Sequence, residues 1–252
     1  MLRPVKKEYG QHFLVDRNIL DVIGRLAQLG ADDVVLEIGP GQGVLTRYLA
    51  ERVRLVHAVE IDRTLEPELA GLPGNAAVLF GDALQIELPQ DATKLVANLP
   101  YNVATPLVVE SLDGLPNVGL WCVMVQREVA DRFFAEPGTK EYGAVSVLIQ
   151  LAAERTGFHP VSRTVFRPPP NVDSALVAFR RTELPANYRR VKEVVTAAFA
   201  HRRKTLPNSL ALAGRASREQ AAEALATVGR APETRAEALA PYEFLALTEA
   251  LE

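Results

Sequence analysis

The sequence predicts an α/β fold, with a mostly parallel sheet in the larger part of the chain and a small all-α domain after it. Short apolar segments alternate with helical periodicity from residue 34 onward, which implies strands joined by right-handed helical crossovers. Beyond Leu184-Pro185 the strand pattern stops and only helical segments follow. The 252 residues, 48% hydrophobic and 23% charged, suit one α/β domain with an appendage.

Each predicted element rests on a local pattern. Short apolar runs predict strands at 34–39, 55–62, 76–83, 94–99, 119–126, 155–161 and 175–181. Helical periodicity predicts helices at 44–52, 144–153, 188–201, 217–228 and 242–251, and Ser217 with Gln220 forms a capping box. Three successive prolines predict an extended loop at 166–170. The elements divide the chain into domains 1–184 and 185–252.

Composition excludes several classes of protein. The net charge of −3 is not that of a globally basic nucleic-acid binder, and no apolar run approaches the roughly 20 residues of a membrane-spanning helix. The first residues lack the apolar stretch of a secretory signal. A single cysteine, Cys122, fits a reducing compartment and, with no ligand-spaced histidines, indicates no metal site; together with the absent signals, this predicts a cytoplasmic location.

A glycine-rich turn at 37–43, E-I-G-P-G-Q-G, joins the first predicted strand to the first helix. Glycine permits tight turning and lets a ligand approach backbone N–H groups closely. The dinucleotide fingerprint G-x-G-x-x-G needs glycine at position 44, where the sequence has Val44. The spacing G-x-G-x-G is instead similar to the first motif of S-adenosylmethionine-dependent methyltransferases, whose loop wraps the methionine part of the cofactor.

Acidic residues lie at the ends of the next two predicted strands. A carboxylate at Glu60 can accept hydrogen bonds from both ribose hydroxyls, and Asp62, on the same strand face, is a second candidate. Asp82, within Gly81-Asp82-Ala83, can accept a hydrogen bond from an adenine amine. Because the carboxyl ends of parallel strands meet at one edge of a sheet, the turn and both carboxylates are expected to form one site.

The fourth predicted strand ends in Asn98-Leu99-Pro100-Tyr101, which matches the N-P-P-Y-like motif of enzymes that methylate exocyclic amines of bases. Such an amine is a poor nucleophile because its lone pair is delocalised into the ring. The Asn98 side-chain oxygen and the backbone carbonyl of Pro100 or a neighbour can bind its two hydrogens and direct the lone pair at a methyl donor. Tyr101 can stack on a base that has left its own stack.

Taken together, these features resemble the ribosomal RNA adenine N6,N6-dimethyltransferase family over nearly the whole chain. Three further segments are similar to family motifs: G-Q-H-F-L-V-D at 10–16, F-R-P-P-P-N-V-D-S at 166–174 and F-A-H-R-R-K-T-L-P-N-S-L at 199–210. The resemblance implies a Rossmann-like methyltransferase sheet and S-adenosyl-L-methionine as cofactor. It also implies dimethylation of two adjacent adenosines in the 3′-terminal stem-loop of small-subunit rRNA, within the 30S subunit or its precursor, by a monomer that contributes to subunit biogenesis.

The resemblance assigns site residues by position. Cofactor contacts fall on His12, Leu14, Gly39, Gly41, Glu60, Ile61, Asp82, Ala83 and Asn98. The adenine is held by Asn98, Pro100, Tyr101 and Phe166, with Phe166 on the face of the base opposite Tyr101. The family usually has asparagine at position 12, so the His12 imidazole or backbone is expected to substitute for it.

A local concentration of positive charge lies in the second domain despite the negative total. Within 186–208 there is one acid, Glu193, against six basic residues, which are Arg189, Arg190, Lys192, Arg202, Arg203 and Lys204. Placed on helices, these side chains are expected to contact RNA phosphates, which position a substrate. The remaining domain is acidic, so a folded ribosomal substrate engaged at several points is expected, rather than a short oligonucleotide.

Other functions stay open on the sequence alone. A large-subunit rRNA methyltransferase of the macrolide-resistance type, or a DNA adenine methyltransferase, would use the same chemistry. A mainly non-catalytic small-subunit assembly factor would use the RNA contacts without it. A dehydrogenase is disfavoured by Val44 and by the motif at 98–101.

Overall fold

The computed structural model describes residues 12–251, so Gly10 and Gln11 of the N-terminal motif lie outside the described residues. Its strands are β1 (Phe13–Leu14), β2 (Val34–Ile38), β3 (Leu55–Glu60), β4 (Ala76–Phe80), β5 (Lys94–Asn98), β6 (Leu120–Gln126), β7 (Ala153–Val161), β8 (Phe166–Arg167) and β9 (Ser174–Arg181). Its α-helices are α1 (Arg17–Leu26), α2 (Val44–Ala50), α3 (Glu66–Leu69), α4 (Ala104–Gly114), α5 (Arg127–Phe133), α6 (Ala144–Ala152), α7 (Tyr188–Phe199), α8 (Leu206–Leu212), α9 (Arg218–Thr227) and α10 (Pro241–Ala250).

The main sheet has seven strands in the order β4-β3-β2-β5-β6-β9-β7. Neighbours from β4 through β6 pair in parallel, and β9 pairs antiparallel with β6. From β2 the chain passes to β3 and β4 on one side, then returns to β5 and β6 on the other. Loops that leave a sheet in opposite directions open a crevice at the carboxyl ends of the strands, so this topology places a crevice beyond β2 and β5.

The five parallel strands are those that the sequence predicts, and the predicted α/β fold with later helices is confirmed. Four of them end one to three residues earlier than predicted. The residue directly after a strand still donates to the neighbouring strand, as Gly39 does to the Val59 carbonyl at 2.9 Å, but the backbone then leaves the extended conformation; Gly39 has φ +74°. The four strands are therefore shorter than predicted, because the residues that follow them turn to line the crevice.

The segment predicted as an extended loop at 166–170 is partly a strand. Phe166 and Arg167 pair antiparallel with Leu14 and Phe13. The first proline stands at position 168, so the two residues before it keep the backbone N–H groups that a ladder needs. The prediction is wrong for these two residues.

The basic run at 202–204 is not helical, which corrects the prediction that placed it on a helix. Helix α7 ends at Phe199, and residues 201–204 form a turn before α8. Pro207 has no N–H and is accommodated only in the first turn of a helix. A single helix through 188–212 is thereby prevented, and the chain turns where the three cations stand.

The chain forms two compact units, each built from two segments. One contains the described residues up to Ala130 together with Arg155–Arg181, and it holds the parallel strands. The other contains Asp131–Glu154 and the residues from Thr182 onward, and it is helical. The sequence predicts a single division at residue 184, whereas the helical unit also includes α6, which precedes the last strands of the sheet.

Aromatic residues explain why Asp131–Glu154 belongs to the helical unit. The Tyr142 ring packs edge-on against Phe199 at a centroid distance of 6.0 Å, and its hydroxyl donates to the Leu239 carbonyl at 2.7 Å. The Tyr188 hydroxyl donates to the Leu148 carbonyl at 3.0 Å. The segment before the last sheet strands thus supplies part of the core that the C-terminal helices need.

Candidate active site

A cavity of about 330 Å³ opens in the sheet-containing unit, at the carboxyl ends of β2 to β5. It is lined by all of the predicted cofactor-binding residues, namely His12, Leu14, Gly39, Gly41, Glu60, Ile61, Asp82, Ala83 and Asn98. Pro100 and Tyr101 of the predicted base-binding set also line it. The crevice that the topology creates is thus the place where these residues meet.

The glycine turn forms a wall made of backbone. Gly39, Gly41 and Gly43 all have positive φ, between +57° and +75°, a region that side chains other than glycine rarely adopt. A Cβ atom on Gly41 would lie 2.9 Å from the ring of Phe13. The wall therefore has room for a ligand against backbone atoms but not for an added side chain.

The Glu60 carboxylate is buried at the end of β3 and is held by the backbone. Its Oε2 accepts a hydrogen bond from the Gly41 N–H at 3.0 Å, and its Oε1 accepts one from the Asp62 N–H at 2.9 Å. Burial raises the pKa of Glu60, and these two N–H groups oppose that increase. Each oxygen keeps further acceptor capacity for ligand hydroxyls.

Of the two acids predicted near the ribose position, only Glu60 lines the cavity. Asp62 caps the following 3₁₀ turn, where its Oδ1 accepts hydrogen bonds from the Thr64 N–H at 3.1 Å and the Thr64 hydroxyl at 2.7 Å. Asp82, after β4, accepts from the Leu84 N–H at 3.0 Å and the Gln85 side-chain amide at 2.9 Å. The hydrogen bonds of Asp62 and of Asp82 each hold a carboxylate in one orientation. Of the two, only Asp82 lines the cavity.

The Asn98 side chain is oriented by the N-terminal segment. Its amide nitrogen donates to the backbone carbonyl of His12 at 3.1 Å. The same histidine donates from Nδ1 to the Pro168 carbonyl at 2.8 Å, and its ring lies 5.6 Å from that of Tyr101. Because the amide N–H₂ group is engaged in this way, the Asn98 Oδ1 remains to accept hydrogen bonds from a ligand.

Tyr101 is held by Ser174, a residue to which the sequence assigns no role. The two hydroxyls share a hydrogen bond of 2.8 Å, and Ser174 is buried at the first position of β9. Burial raises the pKa of the Tyr101 phenol, which the Ser174 hydroxyl partly opposes, so the phenol stays neutral at physiological pH. The only sequence signal for Ser174 is its place at the end of the 166–174 motif.

The carbonyl of Pro100 is already used in the turn that leads to α4, where it accepts from the Val103 N–H at 3.1 Å. Leu99, beside it on the cavity wall, donates its own N–H to the Met124 carbonyl at 3.0 Å. The strand β6 therefore fixes the backbone at 99, and the following turn fixes it at 100. Among residues 12–251, no backbone N–H outside the regular helices and strands donates to the Leu99 carbonyl, so it is the less engaged of the two.

Phe166 is not brought to the cavity. It is 1% exposed, pairs with Leu14 across β1 and β8, and belongs to the core cluster with Leu20 and Ile23. Its pairing partner Leu14 does line the cavity, so Phe166 supports the wall from behind. The contact with a base that the sequence predicts for Phe166 stays a prediction.

The basic residues lie in the helical unit and face solvent. Five of the six are exposed, and Lys192 is partly buried. Arg190 donates to the Leu251 carbonyl at 3.2 Å, and the other cations of the set stand on α7 or in the turn at 201–204. The contact with RNA phosphates that the sequence predicts for these positions stays a prediction.

Comparison with known proteins gives a consistent result. The family model described as "Ribosomal RNA adenine dimethylase" matches residues 3–252. A protein of Rubrobacter xylanophilus named "Ribosomal RNA small subunit methyltransferase A" is 50% identical over 249 residues, which cover 96% of this chain and 93% of that protein.

Two solved structures extend the comparison. The dimethyladenosine transferase from Plasmodium falciparum superposes with a TM-score of 0.79 at 27% identity, covering 94% of this chain and 96% of the other. The 23S rRNA methyltransferase ErmE has a TM-score of 0.65 at 31% identity, with 95% and 99% coverage. Among residues 12–251, no helix combines the length and apolarity that a membrane span requires.

Proposed function

The chain belongs to the ribosomal RNA adenine dimethylase family, and from this membership we propose that it methylates N6 amines of adenosines in small-subunit rRNA, with S-adenosyl-L-methionine as the methyl donor. The proposed substrate is the pair of adjacent adenosines in the 3′-terminal stem-loop, each of which receives two methyl groups. The named relative at 50% identity supports the small subunit over the large one, since the 23S rRNA enzyme is 31% identical.

One observation carries the proposal: a single cavity joins the glycine turn, Glu60 and Asp82 to Asn98 and Tyr101. The first three suit the cofactor. Its amino-acid part needs a wall without side chains, which Gly41 provides, and its ribose needs acceptors, which Glu60 provides. Asp82 offers an oriented carboxylate to the adenine amine. The residues present therefore fit this cofactor.

When bound, S-adenosylmethionine supplies a methyl group made electrophilic by its sulfonium. The chain's part is to hold the target amine beside it. In the proposed arrangement the Asn98 Oδ1 accepts one amine hydrogen and the Leu99 carbonyl, assisted by that of Pro100, accepts the other. Two fixed acceptors favour a pyramidal nitrogen with its lone pair directed away from them, which is a near-attack geometry. The protonated amine formed by transfer is strongly acidic, so no general base is required.

Two substitutions of Tyr101 distinguish the contribution of its ring from that of its hydroxyl. In Tyr101→Phe, Ser174 keeps a buried hydroxyl without its partner, which costs about 1–3 kcal/mol of stability, while the ring that stacks on the base remains. Tyr101→Ala also loses stacking worth about 1–3 kcal/mol, a roughly 5- to 150-fold loss of methyl transfer. Thermal unfolding and transfer from labelled cofactor measure the two effects, and equal loss of activity in both variants would contradict a stacking role.

The basic turn is proposed to bind phosphates of the ribosomal substrate. Replacing Arg202, Arg203 and Lys204 together by alanine is expected to reduce the magnitude of the negative slope of log binding constant against log salt by about 2–3, because each of three phosphate contacts contributes roughly 0.7–0.9. The matched control replaces Arg17, Arg25 and Arg54, which are exposed in the sheet-containing unit. Subunit binding measured between low and moderate salt tests this, and an unchanged slope in the first variant would remove the turn from the interface.

The test of the function is methyl transfer from labelled S-adenosylmethionine to unmethylated small subunits, large subunits and duplex DNA in parallel, followed by nucleoside analysis. We expect N6,N6-dimethyladenosine in the small subunit alone. Label in the large subunit would keep the chemistry and move the chain to the resistance type. Tight binding of small subunits without any label would favour an assembly factor.

The proposal also includes the state and location of the protein: a monomer that acts in the cytoplasm, where ribosomal subunits mature.

A further inference from the structure

A buried carboxyl group lines the cavity without a role in the function proposed above. Glu37, at the fourth position of β2, is 1% exposed and belongs to the cavity lining. Its Oε2 atom has no hydrogen-bond partner among residues 12–251. An ionised carboxylate without a partner in such a place is costly, so a residue of this kind is stable as the neutral acid or beside a cation that arrives later.

The surroundings of Glu37 favour the neutral acid. Burial raises its pKa to about 8; the nearby Glu60 carboxylate also raises it, and the Thr46 hydroxyl on α2 opposes the rise. The other titratable groups of the cavity are His12, Asp82 and Tyr101, and none of these contributes to the shift. At neutral pH the group therefore carries a proton in the ligand-free protein.

We propose that the Glu37 carboxyl loses this proton when the positively charged methionine end of the cofactor enters the cavity, so that cofactor binding releases a proton. The O–H bond of the acid breaks, the proton passes to the buffer, and the carboxylate is stabilised by the ligand's charge. This inference rests on the proposed cofactor and adds a positioning residue to the glycine turn that Glu37 precedes.

The position of the residue agrees with this assignment. Glu37 stands two residues before Gly39, where the cavity wall is made of backbone, so a charged ligand group bound at the glycine turn would lie close to it. A permanently charged carboxylate would repel Glu60 in the ligand-free cavity, whereas a neutral acid does not. A group that ionises only on binding gives the cavity a counter-charge at the time it is needed.

Calorimetric titration in buffers of different ionisation enthalpy counts the protons released. Near pH 7 we expect close to one proton per S-adenosylmethionine bound, because an acid with a pKa of about 8 is roughly nine-tenths protonated there. Release should fall toward zero above pH 9, where Glu37 is already ionised. Over the same range affinity should increase with pH, since a reaction that releases protons is favoured by their removal.

Two controls assign the proton to Glu37. In Glu37→Gln, a neutral isostere of the protonated acid, release should disappear, while any proton exchanged by the cofactor itself persists and is subtracted. 5′-Methylthioadenosine, which lacks the charged methionine end, should bind both proteins without release, and its binding shows that the variant is folded.

The outcomes separate the inference from the function on which it rests. Cofactor binding with no difference in proton release between wild type and E37Q would overturn the role of Glu37 and leave the proposed function intact. Failure of S-adenosylmethionine to bind the wild type, while small subunits still bind, would count against both. Loss of release in E37Q, with its pH dependence in the wild type, would establish the linkage.

Discussion

Asn98→Ala is expected to lower methyl transfer to small subunits by about 10²–10³-fold at saturating cofactor, which is the usual loss when one preorganised hydrogen-bonding group is removed from a reacting centre. The reason is geometric. The Asn98 amide donates to the His12 carbonyl, which leaves its oxygen as the acceptor for the target amine. Alanine removes that acceptor and also releases the contact with the N-terminal segment.

Three measurements make the Asn98 experiment decisive. Single-turnover transfer gives the rate, filter binding gives the affinity for subunits, and calorimetry gives the affinity for the cofactor. Subunit binding is expected to persist, because Asn98 lies in the cavity and not among the basic residues of the helical unit. Asn117→Ala, which removes a contact with the Gln90 carbonyl outside the cavity lining, serves as the control and should transfer at the wild-type rate. A near-normal rate in N98A would contradict the proposal that the Asn98 oxygen accepts a hydrogen bond from the target amine.

Gly41→Ala is expected to weaken cofactor binding by at least about tenfold, a change of roughly 1.4 kcal/mol in binding free energy. Two effects combine at this position. The backbone has φ +57°, where a Cβ costs about 1–2 kcal/mol, and the new atom would stand 2.9 Å from the Phe13 ring. The ring must move, and with it the strand pair that carries Leu14 into the cavity wall.

Gly138→Ala isolates the steric part of that effect. Gly138 has φ +81°, but apart from its own atoms and its two chain neighbours, no heavy atom of the described residues lies within 4 Å of the position where its Cβ would stand. Both variants therefore carry backbone strain, and only G41A also meets a neighbour at the cavity. We expect the two variants to lose similar amounts of stability. Only G41A is expected to lose affinity for the cofactor. Equal cofactor affinity in the two variants would show that the cofactor does not bind close to the backbone at Gly41.

The sequence predicts the parallel strands and most of the cavity because both depend on local chemical patterns. Apolar runs mark strands that are buried on both faces, and residues that break such runs mark their carboxyl ends. In an open parallel sheet those ends converge, so Gly41, Glu60, Asp82 and Asn98 could be assigned to one site before the structure was known. The cavity contains all four.

The remaining features depend on contacts between distant parts of the chain. The bond from Asn98 to His12 spans 86 positions and that from Tyr101 to Ser174 spans 73, so no local pattern signals either contact. Phe166 shows a different difficulty, because a phenylalanine that stacks on a base and one that packs in a core have the same chemistry. Its burial beside Leu14 is decided by the pairing of β1 with β8.

The interleaved composition of the two compact units has a consequence for synthesis on the ribosome. Asp131–Glu154 emerges before the final sheet strand β9, yet its partners Tyr188, Phe199 and Leu239 emerge after it. Neither unit can complete its hydrophobic core when only its first segment has been synthesised. Tyr142 and Leu148 are buried only after the C-terminal helices have been made. A chain truncated at residue 184 would leave these side chains without cover, and we expect it to aggregate where the complete chain folds.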